Sequence, residues 1–139
     1  MYRSIDSATL NVTALDLSWR WLHRVVAALG MAFGLVYWAR LIGVDAAAGW
    51  RFDLMPVHWQ VACVVLAVLY PFAASGLWMI SSWGAVIWFL CAATEVLMHA
   101  GFPELFGSRP MLIVLHVAVA AVYCGCRVGF FLRRRRQAD

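Results

Sequence analysis

Apolar residues along the chain gather into four runs, at positions 21–44, 57–80, 83–100 and 111–132, each close to the roughly 20 residues that a helix needs to cross hydrocarbon. The first run is interrupted only by His23 and Arg24 at its entry and Arg40 near its exit. The second contains Pro71, followed by Ser75 and Gly76, and the proline predicts a kink whose freed carbonyl a neighbouring helix or hydroxyl can satisfy. Only Ser81 and Ser82 separate the second run from the third, which predicts a tight antiparallel hairpin. Longer polar stretches, 45–56 and 101–110, separate the other pairs. The pattern predicts an all-α integral membrane protein: a four-helix bundle over 20–132, flanked by a tail at 1–19 and an arginine-rich tail at 133–139.

The tail before the first run has its own periodicity. Ile5, Ala8, Val12, Leu15 and Trp19 recur at alternating spacings of three and four, which places them on one helical face. Two readings stay open: a short amphipathic helix lying on the membrane or packed under the bundle, and a disordered tail. Asn11-Val12-Thr13 matches a glycosylation sequon, a chance match if this tail is cytoplasmic.

Composition supports lipid as the solvent. With 139 residues, 65% hydrophobic and 13% charged, a water-facing globule could not bury so much apolar surface. Charge then gives direction. Arg3, Arg20, Arg24, Arg127, Arg133, Arg134, Arg135 and Arg136 flank the runs on one side, against Arg40, Arg51 and Arg109 on the other. This asymmetry places both termini in the cytoplasm of a bacterial inner membrane. The terminal cluster Arg133 to Arg136 is expected to meet anionic lipid headgroups. The net charge of +4 comes from this clustering and not from a basic surface interleaved with aromatics, so nucleic acid is not an expected partner. A cleaved signal peptide is disfavoured, because the segment before the first run is long and contains Asp6 and Asp16, and Arg40 interrupts the approach to Ala46-Ala47-Ala48.

Helices in lipid associate through small residues that let backbones approach. Gly30 and Gly34 form one such stripe in the first run, and Ala121, Gly125 and Gly129 form another in the fourth. Each can serve packing within the chain, the favoured reading, or a homodimer seam. Cys63, Cys91, Cys124 and Cys126 lie within apolar runs, without C-x-x-C spacing, and read as small buried apolar residues. Trp19, Trp21, Trp50, Trp59 and Trp83 fall near the expected interfaces. Trp38, Trp78 and Trp88 lie deeper, where helix packing accounts for them more economically than a quinone or lipid groove.

Ionisable groups inside a membrane cost roughly 2.5 to 3.5 kcal/mol each on insertion scales, so each needs a partner or a function. Arg40, His58, Glu95, His99 and His116 form one polar layer in the outer half of the membrane, contributed by four helices. Glu95 is the central member, about 7 to 8 Å below the outer end of its helix at 1.5 Å per residue. His99 stacks over it four residues on. An interhelical tie from Glu95 to Arg40 or His116 is the economical expectation. The functional alternative is a site open to the periplasm that holds a proton or a cationic ligand. No metal-binding motif is present, and no cofactor is expected; haem between two of His58, His99 and His116 and a bound quinone are minor alternatives.

Trp83-Gly-Ala-Val-Ile-Trp88, then Glu95, His99 and Phe102-Pro-Glu-Leu-Phe-Gly107 resemble a family of small four-span alphaproteobacterial proteins known only as a domain of unknown function. That resemblance implies a bacterial inner membrane and no activity. The short length, four runs and basic residues flanking the first are also similar to DoxX-like membrane proteins, some of which accompany oxidoreductases or respiratory chains. The expected function is a non-enzymatic accessory or assembly component of a larger membrane complex, with the lipid bilayer as its constant partner. A redox or quinone-linked protein and a small oligomeric transporter or channel are the alternatives.

Overall fold

Residues 2–44 and 52–136 are described by the computed structural model, with side chains at all of these positions except 2–15, 133, 134 and 136. Helix α1 spans Tyr2–Ile42, α2 Val57–Trp78, α3 Ser82–Val96, α4 Pro103–Phe106 and α5 Pro110–Arg136. A single 3-10 turn, Phe52–Leu54, precedes α2, and α3 runs on into a π-helical turn, Leu97–Gly101. Four segments are long and apolar enough to cross a membrane: Asp16–Ile42, Val57–Trp78, Ser82–Gly101 and Pro110–Leu132. They coincide closely with the four apolar runs of the sequence.

The N-terminal tail is not a separate short helix, because α1 continues through it without a break. Residues 2–29 contain neither glycine nor proline, so nothing in the chain ends the helix before the first apolar run begins. The side chains that would form the tail's apolar face lie outside the described residues. Helix α2 likewise continues on both sides of Pro71.

Contacts along the helices fix their directions. Gly30 faces Ala74, Gly34 faces Pro71, and the Trp38 indole donates to the Ala67 carbonyl at 2.9 Å, so α1 and α2 run antiparallel. Glu95 of α3 meets His116 of α5 and Phe89 meets Tyr123, so the contacts run in opposite directions along the two helices and that pair is antiparallel too. Between α2 and α3 the chain reverses in three residues. The Ser81 N–H donates to the Gly76 carbonyl at 3.0 Å and the Ile80 N–H to the Leu77 carbonyl at 2.9 Å, the paired bonds of a Schellman C-cap. Ile80 occupies the left-handed position at φ 55°, where glycine is usual and a β-branched residue stores about 1 kcal/mol or more of strain.

Small residues line two of the interfaces, α1 with α2 and α2 with α3, and of the two stripes expected from spacing one is used within the chain. A Cβ on Gly34 would stand 2.9 Å from Pro71 Cδ and 3.2 Å from Tyr70 Cβ, so the Gly30/Gly34 stripe is used within the chain, against α2. The tightest approach is elsewhere, between Gly76 of α2 and Gly84 of α3, where a Cβ on Gly76 would lie 2.6 Å from the Gly84 Cα. The other expected stripe has no such contact: Ala121, Gly125 and Gly129 are exposed, and nothing lies within 4 Å of a Cβ built on either glycine. Gly34→Val is therefore expected to destabilise the protein by about 1–3 kcal/mol through overpacking against Pro71. Gly125→Val should change stability little; melting both variants in one detergent compares them directly.

Helix α5 is the least enclosed of the four membrane-length helices. In its apolar window 11% of residues are buried, against 44% in both α2 and α3. This corrects the expectation for two cysteines: Cys63 and Cys91 are buried, but Cys124 and Cys126 on α5 are exposed, because no helix covers that face. All four are free thiols.

Candidate functional site

Each of the four apolar helices buries a stripe at helical spacing, and each stripe contains one polar residue at the same level. On α2 the stripe is Cys63, Leu66, Ala67, Tyr70, Ala73, Ala74 and Leu77, and on α3 it includes Ala85, Trp88, Cys91, Ala92 and Glu95. Tyr37 follows Gly30 and Gly34 on the packed face of α1, and His116 precedes Tyr123 by seven residues on α5. Tyr37, Tyr70, Glu95 and His116 thus converge, at 5%, 0%, 0% and 4% exposure.

Their hydrogen bonds interlock. The Tyr37 hydroxyl donates to Glu95 Oε1 at 2.5 Å. His116 Nδ1 lies 2.9 Å from the Leu112 carbonyl, which can only accept, so this nitrogen carries a proton. His116 Nε2 then faces two groups: the Tyr70 hydroxyl at 3.1 Å and Glu95 Oε2 at 3.2 Å. With Nδ1 protonated, a proton on either Oε2 or Nε2 makes the Glu95–His116 contact attractive. The contact is a close approach and not an aligned hydrogen bond, since Oε2 has no partner of good geometry. Rings enclose the group: Tyr37 stacks on Tyr70 at 6.0 Å between centroids, and Phe33 and Trp88 pack on His116 at 5.8 and 6.3 Å.

The other members of the expected polar layer lie outside this centre. Arg40 does not serve as the partner of Glu95; its guanidinium lies over the rings of Tyr37 and Trp59, at 5.3 and 5.8 Å, one turn toward the loop end of α1. His99 sits on the π-helical turn, buried, edge-on to Trp59 at 6.4 Å and with Nδ1 lacking a hydrogen-bond partner. His58 is half-buried and donates from Nε2 to the Leu105 carbonyl at 3.1 Å, beside the Trp59 indole, which donates to the same oxygen at 3.2 Å. These bonds hold α4 against the start of α2 as a cover over the loop end. Of the five residues expected to share one layer, the structure joins Glu95 to His116 and spreads Arg40, His99 and His58 above them.

The spacing argument missed Tyr37 and Tyr70. The signal was available: a tyrosine hydroxyl inside a hydrocarbon-length run needs a partner as a carboxyl does, and Tyr37 shares the face of Gly30 and Gly34. Sequence reading also passed over His23 as a site at the opposite end. It is buried, donates from Nδ1 to the Trp19 carbonyl at 3.0 Å and packs with Trp19 and Tyr123.

Of the three histidines considered for haem, only His99 keeps a buried ring nitrogen without a hydrogen-bond partner. His116 has both nitrogens engaged, and Nε2 of His58 is bonded to Leu105. Among the described residues no group of three histidine, cysteine, aspartate or glutamate side chains is placed to hold a metal ion. A shallow slot between α1 and α5, lined by Phe33, Trp88 and Leu115 among others, reaches the His116 ring.

A family model described as a family of unknown function (DUF6163) matches residues 17–134. No curated protein and no solved structure matches the chain.

Proposed function

We propose that this chain, which belongs to that family of unknown function, is a non-enzymatic component of a larger membrane assembly, carried as a four-span bundle in a bacterial inner membrane. The observation that carries this reading is the contrast between the polar centre and α5. Four helices each spend a buried side chain on the centre, in two hydrogen-bonded pairs, Tyr37 with Glu95 and Tyr70 with His116, that meet at the Glu95–His116 contact. That arrangement suits a clasp that fixes the register of the helices, a recognised use of intramembrane polar groups. Helix α5, by contrast, leaves most of its surface uncovered, including Ala121, Gly125 and Gly129 in a small-residue ladder of the kind that lets another helix approach. The arginine imbalance favours both termini in the cytoplasm. The sequence similarity to four-span alphaproteobacterial proteins fits the same membrane.

The test is association in a mild detergent or native nanodiscs. Wild-type protein is expected to run as an assembly, with itself or with copurifying subunits, and Gly125→Leu to dissociate it into chains that keep the wild-type helical content by circular dichroism. A wild-type preparation that is wholly monomeric and free of partners would refute the proposal.

A second reading, a proton-linked redox or transport protein of the DoxX-like kind, draws on the close approach of buried Glu95 and His116 and on the slot reaching His116. It predicts that Glu95→Gln abolishes proton-coupled flux or quinone-dependent turnover in proteoliposomes. The clasp reading predicts no such activity in either protein.

A further inference from the structure

At the end of the helices opposite the loop cover, α1 and α5 touch through Trp19, which packs on Tyr123 and Phe130 at 5.2 and 5.4 Å between centroids. Beside this contact they diverge, and an open groove of about 320 Å³ lies between them, lined by Asp16, Trp19, Arg127, Phe130 and Phe131. Its level in the membrane follows from the rise of the helix. The apolar run of α1 begins at Trp21, and Asp16 lies five residues before it on the same helix, about 7 to 8 Å further along at 1.5 Å per residue, which puts Asp16 at headgroup level. Arg127, one to two turns inside the end of its span, reaches the same level by extending its side chain toward the interface.

The chemistry of the walls is specific. The charged side chains described at this end of the helices, Arg20, Arg24, Arg127 and Arg135, are all cationic except for Asp16. Among the described residues Asp16 and Arg127 form no ion pair with each other, though both line the groove. Arg127 spends one Nη1 bond on the Tyr123 hydroxyl at 3.4 Å, leaving most of its five donors for a ligand. A carboxylate and a guanidinium on one groove, with aromatic rings between them, match a headgroup that carries an ammonium and a phosphate together. An anionic headgroup would satisfy Arg127 but be repelled by Asp16.

We propose that this groove is a binding site for a phosphatidylethanolamine headgroup of the bilayer, its phosphate on Arg127 and its primary ammonium on Asp16. The guanidinium gives the phosphate paired, charge-assisted hydrogen bonds. The ammonium has three donors for the carboxylate, which a trimethylated choline lacks. The site rests on the chain spanning a membrane and is independent of any role in assembly.

Native mass spectrometry of the full chain, released from a mild detergent supplemented with phosphatidylethanolamine, phosphatidylcholine or phosphatidylglycerol, tests it. Wild-type protein should retain phosphatidylethanolamine in preference to the other two. Asp16→Asn should weaken that retention by about three- to ten-fold, the scale of one partly exposed charged contact, while leaving phosphatidylglycerol unchanged or tighter. Arg127→Gln should weaken both. Asp16→Lys should reverse the preference toward phosphatidylglycerol, and melting curves verify that each exposed-site variant is folded. Equal retention of the three lipids by wild-type protein, or phosphatidylethanolamine retention unaffected by Asp16→Asn and Asp16→Lys in folded protein, would overturn the assignment.

Discussion

Gly84→Leu is expected to prevent the second and third membrane-crossing helices from closing on each other, with a loss of about 3 kcal/mol or more and little recoverable folded protein. The reason is backbone against backbone. A Cβ at position 84 would fall onto the main chain of Gly76 and Leu77, and one at position 76 would meet the Gly84 Cα at 2.6 Å and the Trp83 ring at the same distance. A flexible side chain can rotate aside, but a helix backbone cannot. The turn at 79–81 is held by the Ser81 and Ile80 bonds and by the Ser81 hydroxyl, which donates to the Gly76 carbonyl at 2.7 Å, so the hairpin has no slack to open. Gly101→Ala is the matched control: its Cβ would meet only the end of the Leu97 side chain, at 3.0 Å, which can move. Denaturation in mixed micelles, followed by tryptophan fluorescence, measures both. A Gly84→Leu protein with wild-type stability would mean that this close approach does not exist in the membrane.

That pair of glycines also marks where sequence reading stopped short. Gly30 and Gly34 were visible because they repeat every four residues on one helix. Gly76 and Gly84 belong to different helices, and their relation appears only once the turn is placed: each is four residues from Ile80, so an antiparallel hairpin brings them level. The same limit applies to the polar centre. Hydropathy and the cost of a buried charge single out Glu95 and His116 from their own helices. Which of Arg40 and His116 meets Glu95 depends on helix rotation, and four-residue spacing within one helix does not set rotation between helices. Tyr37 and Tyr70 counted as hydrophobic in the run-length argument, so their hydroxyls were hidden by the scale that revealed the spans. The ladder on α5 was legible as a pattern, but spacing alone does not say whether a helix lies against it.

Glu95→Leu and His116→Leu are each expected to cost about 3 to 5 kcal/mol, and the double substitution clearly less than their sum. Removing one member of the buried pair leaves the other without its partner. His116→Leu leaves the Glu95 carboxyl with the Tyr37 hydroxyl and the neighbouring Tyr70 hydroxyl, and Glu95→Leu leaves Tyr37 with a buried donor and no acceptor. Each survivor keeps two partners, His116 the Tyr70 hydroxyl and the Leu112 carbonyl, Glu95 the Tyr37 and Tyr70 hydroxyls, so the two single losses should be of similar size. Replacing both by leucine removes the unmatched groups together and recovers part of the cost through apolar packing. Glu95→Gln separates the two proton arrangements. A glutamine amide can accept from Tyr37 and donate to His116 Nε2, reproducing a neutral acid, so a cost near 1 kcal/mol identifies the neutral pair, while a cost approaching that of Glu95→Leu identifies the ion pair. The three variants and the double, melted under one condition, form a cycle whose coupling energy measures the clasp. A coupling of zero, with the single losses simply adding, would show that Glu95 and His116 do not stabilise the fold through each other, and the buried acid would then need another reason to be in the membrane.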